Sequence, residues 1–87
     1  MDFSNIKNYN ELLVLDYIQS DIEPRYSEKP EDFFLDVACF ALSKLPSRYM
    51  RHDIDMAFFM NEGERASLEI EVKTAVDDAV EHILKNP

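Results

Sequence analysis

The chain has 87 residues, the length of a single domain, so one domain spanning 1–87 is expected. Of these residues 46% are hydrophobic and 11% aromatic, and one is glycine, which excludes a disordered tail or a loop-rich scaffold and indicates a helix-rich fold. Eighteen acidic residues against nine basic ones give a net charge of −9, which disfavours nonspecific binding to nucleic acid because it repels the phosphate backbone.

The first predicted helix begins near Asn8 and ends before Pro24. Asn8 and Glu11 have the spacing of a capping box, and apolar residues recur at helical intervals beyond them. Pro24 is expected to end the helix because a proline disfavours the α conformation in the residue before it. A polar connection over 25–29 follows.

The second predicted helix runs over about 30–45. Pro30 suits its first position, and the two acidic residues after it suit the positive end of the helix dipole. Apolar residues lie on nearly every side and leave a polar strip of Asp36, Ser43 and Lys44. Such a helix needs cover on most sides, which so small a domain cannot supply, and we therefore expect a homodimer.

Beyond Pro46 the pattern predicts an extended segment over about 53–60, where apolar side chains alternate at period two. Segment 67–72 also alternates, but it fits equally a helix that continues to Lys85, and we favour the helix because the pattern is too long for a typical strand. The extended segment would then pair with its counterpart in a homodimer or stay irregular. The predicted fold is mainly α, a three- to four-helix domain with one short β segment.

Several classes of protein are disfavoured by what the sequence lacks. Its apolar runs are too short to cross a bilayer and its start does not fit a signal peptide, so we expect a cytoplasmic protein without membrane contact. A single cysteine, Cys39, excludes an intrachain disulfide and a multi-cysteine zinc site, and its apolar surroundings predict a core residue. Without a nucleophile motif or a phosphate-binding glycine loop, we expect no enzymatic activity and no cofactor.

Positive charge is concentrated in one part of this acidic chain. Lys44, Arg48 and Arg51 lie in the window 44–52, which holds no Asp or Glu, and Tyr49 lies among them. Cations near a helix C-terminus are common, so capping and solubility are one explanation. A phosphate-bearing ligand is the other, because the planar fork of arginine suits phosphate or a guanine edge and a tyrosine ring offers a stacking face.

Residues 36–49, "DVACFALSKLPSRY", resemble the signature of the late-competence ComFB family, in which a helix of the form D-V/I-x-A-x-A-L-x-x-L-P-P-R-Y precedes an extended segment and a last helix. The matching residues are Asp36, Val37, Ala41, Leu42, Leu45, Pro46, Arg48 and Tyr49. The closing "HILKNP" also fits the family. Ser47 replaces the second proline, which frees one backbone dihedral angle and one N–H.

The resemblance implies a small, mostly helical, dimeric and non-enzymatic bacterial protein associated with natural competence and motility. Some members of the family are described as receptors for cyclic dinucleotides such as cyclic di-GMP or cyclic di-AMP. Others hold structural zinc through a cysteine cluster, which this chain lacks, so a metal site is not carried over.

The candidate ligand-binding residues are Lys44, Arg48, Tyr49, Arg51 and Asp53. Because a cyclic dinucleotide has two phosphates and approximate twofold symmetry, a homodimer would present this set to each half. In this hypothesis Arg48 and Arg51 bind phosphate or guanine, and Tyr49 stacks on a base. Asp53 would accept from guanine N1 and N2. The alternatives are that Asp53 only begins the extended segment and that Tyr49 packs in the dimer core.

A dimeric protein–protein interaction module is the second hypothesis. It would recruit a protein partner through acidic surfaces such as Asp77 and Asp78, without a small-molecule ligand. Titration with a cyclic dinucleotide separates the two hypotheses, because only the first predicts heat that is lost in Arg48→Ala. Catalysis by His52 beside Asp53 is disfavoured, since neighbouring residues of an extended chain point to opposite faces.

Overall fold

The computed structural model describes residues 1–51 and 61–86, and these are mainly helical, as predicted. Strand β1 (Ile6–Asn8) leads into helix α1 (Tyr9–Tyr17), a π-helical segment (Ile18–Ile22) and a short helix α2 (Glu23–Arg25). Helix α3 (Glu31–Lys44), strand β2 (Tyr49–Arg51) and helix α4 (Glu62–Lys85) follow. None of the helices in this part of the chain is long and apolar enough to cross a lipid bilayer.

The first helical unit, residues 9–25, consists of α1, the π-helical segment and α2. It is longer than predicted, because Pro24 does not end it. Asn8 caps α1 by accepting a hydrogen bond from the Asn10 N–H at 3.2 Å. Before the proline the helix widens, and the Glu23 N–H donates to the Ile18 carbonyl five residues earlier. Pro24 then lies in the first turn of α2, where a missing N–H costs no intrahelical hydrogen bond.

The hydrophobic core lies where α3 packs along α4 and α1 contacts both helices. Its residues recur at helical spacing on each helix, so each contributes one apolar stripe. The buried residues of this core are Val14, Ile18, Ile22, Phe33, Val37, Ala38, Ala41, Val72, Val76, Ala79 and Val80. Many of them are alanine or valine, which allows the helix axes to approach closely.

Segment 67–72 is helical, which confirms the preferred interpretation. It belongs to α4, which begins at Glu62, well before the first residue of its buried stripe, Leu68. Asn61 sets this start: its Oδ1 accepts from the Glu64 N–H at 2.8 Å, and its Nδ2 donates to the Glu64 carboxylate at 3.1 Å. This reciprocal pair follows the logic of a capping box.

The two described strands pair with each other inside the chain. They run antiparallel, with Ile6 opposite Arg51 and Asn8 opposite Tyr49. The predicted extended segment over about 53–60 lies outside the described residues. The extended chain just before it is β2, whose partner is β1, a segment too short for an alternating pattern to show in the sequence.

The prediction that Cys39 lies in the core is wrong, because its side chain is exposed. It lies one turn after Leu35, which keeps 53% of its surface exposed. We call this face of α3 the open side, and the face that buries Val37 and Ala41 the closed side. Since α3 is apolar nearly all round, its periodicity could not show which face would meet α4.

Candidate functional site

The candidate site is the basic turn, residues 44–51, which joins the end of α3 to β2. Helix α3 ends at Lys44, and Leu45 is extended, with φ −100° and ψ 144°. This agrees with the preference of a residue before proline, because Pro46 follows. The turn therefore begins at the negative end of the α3 dipole, where cations are favoured.

The basic turn is held against the first turn of α1 by hydrogen bonds between residues 36 to 40 positions apart. The Arg48 N–H donates to Asn8 Oδ1 at 3.0 Å, and the Arg48 carbonyl accepts from the Tyr9 N–H at 2.6 Å. The side-chain amide of Asn10 donates to the Pro46 carbonyl. The pairing of β1 with β2 extends this contact, so the backbone of the turn is held at Pro46, at Arg48 and along β2.

Asn10 is the one polar residue that is buried among residues 1–49 and 61–86, with 0% of its surface exposed. Its Nδ2 is satisfied by Pro46, whereas its Oδ1 accepts no hydrogen bond from the described residues. A buried amide is costly unless it is hydrogen-bonded, so its place at this junction needs the Pro46 contact. The sequence analysis did not identify Asn10, because an asparagine inside a helical segment has no distinguishing pattern.

Arg48 and Tyr49 combine a fixed backbone with exposed side chains. The Arg48 main chain is bonded on both its N–H and its carbonyl, and its side chain is exposed. Tyr49 pairs with Asn8 in the sheet and keeps 68% of its surface exposed. Tyr49 is therefore not part of the core within one copy, and both side chains are accessible to a ligand.

Lys44 lies at the other end of the basic turn and is also exposed. Its Nζ is 5.3 Å from the centroid of the Phe40 ring, within the range of a cation–π interaction. The same ring stacks on His82 at a centroid distance of 4.2 Å and an angle of 20°. Lys44 is thus attached to the α3–α4 pair and forms no ion pair with the described acidic residues.

The remaining two candidate residues are placed less completely. The backbone of Arg51 belongs to β2 and pairs with Ile6. Asp53 lies outside the described residues, so its predicted contact with guanine stays a prediction. Lys44, Arg48, Tyr49 and the Arg51 backbone thus lie in one turn, and their role in binding a ligand stays a prediction.

A groove of about 510 Å³ between α3 and α4 begins beside Lys44. It is lined mainly by apolar side chains, with two acidic residues at its border. The lining residues are Phe40, Lys44, Leu45, Pro46, Ile70, Glu71, Thr74, Ala75 and Asp78. Because acidic groups repel phosphate, an anionic ligand would favour the basic turn over the interior of this groove.

Comparison with known protein families identifies the family to which this chain belongs. The family described as late competence development protein ComFB matches residues 7–87, and the chain belongs to that family. No curated protein and no solved structure matches the sequence. The match includes the basic turn and the first turn of α1 that holds it. Membership supports a regulatory role related to competence.

Proposed function

We propose that this protein is a non-enzymatic, cytoplasmic regulator that forms a homodimer and binds a cyclic dinucleotide, cyclic di-GMP or cyclic di-AMP, in competence or motility signalling. The supporting observation is the exposure of Arg48 and Tyr49 on a turn whose backbone is already fixed. A fixed backbone lowers the conformational entropy that the turn loses when a ligand binds. Lys44 and Arg51 belong to the same turn and complete its positive charge.

The charge of the basic turn fits a ligand with two phosphates. Arginine can form paired hydrogen bonds to a phosphate, and each charge-assisted contact contributes roughly 1.5 to 3 kcal/mol when shielded from water. Three or four such contacts suffice for micromolar affinity, about −8 kcal/mol. The net charge of −9 over the whole chain gives long nucleic acids no comparable attraction.

A homodimer is supported by apolar surface on the open side of α3. Leu35 is 53% exposed and Leu15 is 42% exposed, and both line a groove of about 510 Å³ between the first helical unit and α3. Other apolar side chains of this groove are Ile18, Phe34 and Ala38. A second copy seated here would cover them and bring two basic turns into one assembly.

Isothermal titration of the purified protein with cyclic di-GMP and with cyclic di-AMP tests the proposal. We expect saturable heat with one of the two and its loss in Arg48→Ala. Arg25→Ala is the matched control, because it removes the same charge at the end of α2, away from the first turn of α1 that contacts Arg48, and there Arg25 lies 3.8 Å from Asp77. Arg25→Ala should bind as the wild type does.

Two results would contradict the assignment of Arg48. One is wild-type protein that binds neither nucleotide. The other is an Arg48→Ala variant that unfolds, which would make the arginine structural. Circular dichroism on both variants separates loss of binding from loss of fold.

A protein–protein interaction module is the second candidate, and the groove between α3 and α4 favours it. Ile70 lines this groove with 65% of its surface exposed, and Glu71 and Asp78 line it as well. Such a surface suits a partner with an apolar anchor and neighbouring basic side chains. If Ile70→Ser abolishes a regulatory effect in cells while nucleotide titration gives no heat, this candidate replaces the first.

A further inference from the structure

We propose that Asn8 and Asn10 are positioning residues for the basic turn: they fix its backbone against α1 and thereby direct Arg48 and Tyr49 toward a ligand. The inference rests on the proposed function and extends it to two residues that do not contact the ligand themselves. They act through the main chain of Pro46 and Arg48.

Asn8 serves two structures with one oxygen atom. Its Oδ1 accepts from the Asn10 N–H at 3.2 Å, which caps α1, and from the Arg48 N–H at 3.0 Å, which holds the basic turn. An amide oxygen has two lone pairs, and these two bonds use both. The start of the helix and the position of the turn therefore depend on the same side chain.

Asn10 holds the basic turn one peptide earlier, through the Pro46 carbonyl. Between its contact and that of Asn8 lies Ser47, which retains the backbone freedom that a proline would remove. The two asparagines therefore restrain the chain on both sides of Ser47, whose φ angle is not fixed by a proline ring. This arrangement replaces, by side-chain hydrogen bonds, the stiffness that a proline at 47 would supply.

Asn61 provides a matched control for Asn8. It caps α4 with the same atom type, accepting from the Glu64 N–H at 2.8 Å, and its partners in the described chain are local. Replacing either asparagine by alanine removes one helix cap, at a comparable cost in stability. Only the change at Asn8 also releases the Arg48 N–H.

The test combines NMR-detected amide hydrogen exchange with isothermal titration of cyclic di-GMP and cyclic di-AMP. In Asn8→Ala we expect faster exchange at the Arg48 amide and affinity about tenfold weaker, the size expected for losing one hydrogen bond. In Asn61→Ala we expect Arg48 exchange and affinity to stay at wild-type values. Both readouts are taken on the full chain under the same conditions.

A second pair of variants keeps the proposal testable if Asn8→Ala fails to fold. Asn10→Leu keeps the branched shape of the side chain and removes both the donor to Pro46 and the buried oxygen that lacks a described partner. We expect it to retain its fold and to bind more weakly. Adding Ser47→Pro should restore much of the affinity, because the proline stiffens the same peptide.

Equal Arg48 exchange in Asn8→Ala and Asn61→Ala would overturn the positioning role, and so would Asn10→Leu with unchanged exchange and affinity. Wild-type protein that binds neither nucleotide would instead remove the proposed function. In that case the exchange rates alone decide whether the two asparagines hold the turn, so the two failures are distinguishable.

Discussion

The two sides of α3 show how differently similar side chains can be used within one helix. On the closed side, Val37 and Ala41 are completely buried against α4. On the open side, Leu35 keeps 53% of its surface and Cys39 is exposed. These four residues lie within two turns, and their hydrophobicity does not separate them. What lies opposite each side chain decides its burial.

This difference indicates where the molecule has the most to gain from a partner. Covering apolar surface contributes about 25 cal/mol per Å². The closed side already buries its apolar surface within a single chain, whereas Leu35 and Leu15 still expose much of theirs. The following variants test whether the contrast between the two sides is as sharp as the structure indicates.

The largest effect is expected from placing a carboxylate on each side of α3 in turn. Val37→Asp should unfold the protein, because a buried charge without a partner costs several kcal/mol. Leu35→Asp should leave the fold intact, since its side chain can reach water. Urea unfolding followed by circular dichroism measures both. Equal losses of unfolding free energy in the two variants would refute the contrast.

The next effect concerns self-association. Leu35→Asp should weaken the proposed homodimer by at least about tenfold, because burying a leucine side chain contributes roughly 1.5 to 3 kcal/mol. Ile70→Asp is the control, as this residue is 65% exposed beside the α3–α4 groove. Light scattering across a dilution series gives both dissociation constants. A dimer lost in Ile70→Asp and kept in Leu35→Asp would move the interface to the other groove.

A smaller effect is expected at the Cys39 thiol, which is exposed in a single copy. A thiol reagent should label it without denaturant, at a rate close to that of the unfolded chain when the protein is dilute. At concentrations where the dimer forms, labelling should slow if the open side is covered. Labelling that requires denaturant at every concentration would place this cysteine in the core after all.

The smallest effect belongs to the contact of α1 with α4. The Tyr17 hydroxyl donates to Asp77 Oδ1 at 3.0 Å, and partial burial, together with this bond, raises the pKa of Tyr17 above its usual value of 10.0. The folded state thus holds this proton more tightly than the unfolded state. The resulting stability is fully present below pH 10.0 and is lost as the pH rises through the raised pKa.

Tyr17→Phe should remove that part of the alkaline loss of stability. Unfolding free energies measured from neutral to strongly alkaline pH should fall less steeply in the variant than in the wild type. Absorbance titration should also show that the tyrosine lost from the variant is one that ionises late. Identical alkaline slopes would mean that neither burial nor the Asp77 contact raises the pKa of Tyr17 in solution.

Much of the fold follows from local patterns in the sequence. The second predicted helix, over about 30–45, agrees with α3, and the choice of helix for 67–72 is confirmed by α4. The prediction that Pro24 ends the first helix is wrong. A widened helical turn before the proline accommodates it, and the helix continues. A residue before a proline prefers a non-helical backbone conformation. Packing of neighbouring residues such as Ile22 in the core can outweigh that preference.

The sequence predicts where the basic turn lies in the chain, but it does not predict the contacts that hold the backbone of this turn. The concentration of basic residues and the signature motif locate the basic turn, and both are formed by residues close together in the chain. The contacts of Asn8 and Asn10 with the turn join residues 36 to 40 positions apart, and a single sequence contains no sign of such pairs. Asn8 was therefore recognised only as a helix cap, and Asn10 was not recognised.

The pairing of β1 with β2 also bears on the order in which the molecule assembles. It closes a chain loop of about forty residues that contains α1 and α3. Closing a loop costs chain entropy, which three-residue strands repay only weakly. An intermediate with α3 docked on α4 would therefore have nearly full helix content while the basic turn is not yet assembled, so protection of the Arg48 amide reports completed folding more strictly than circular dichroism does.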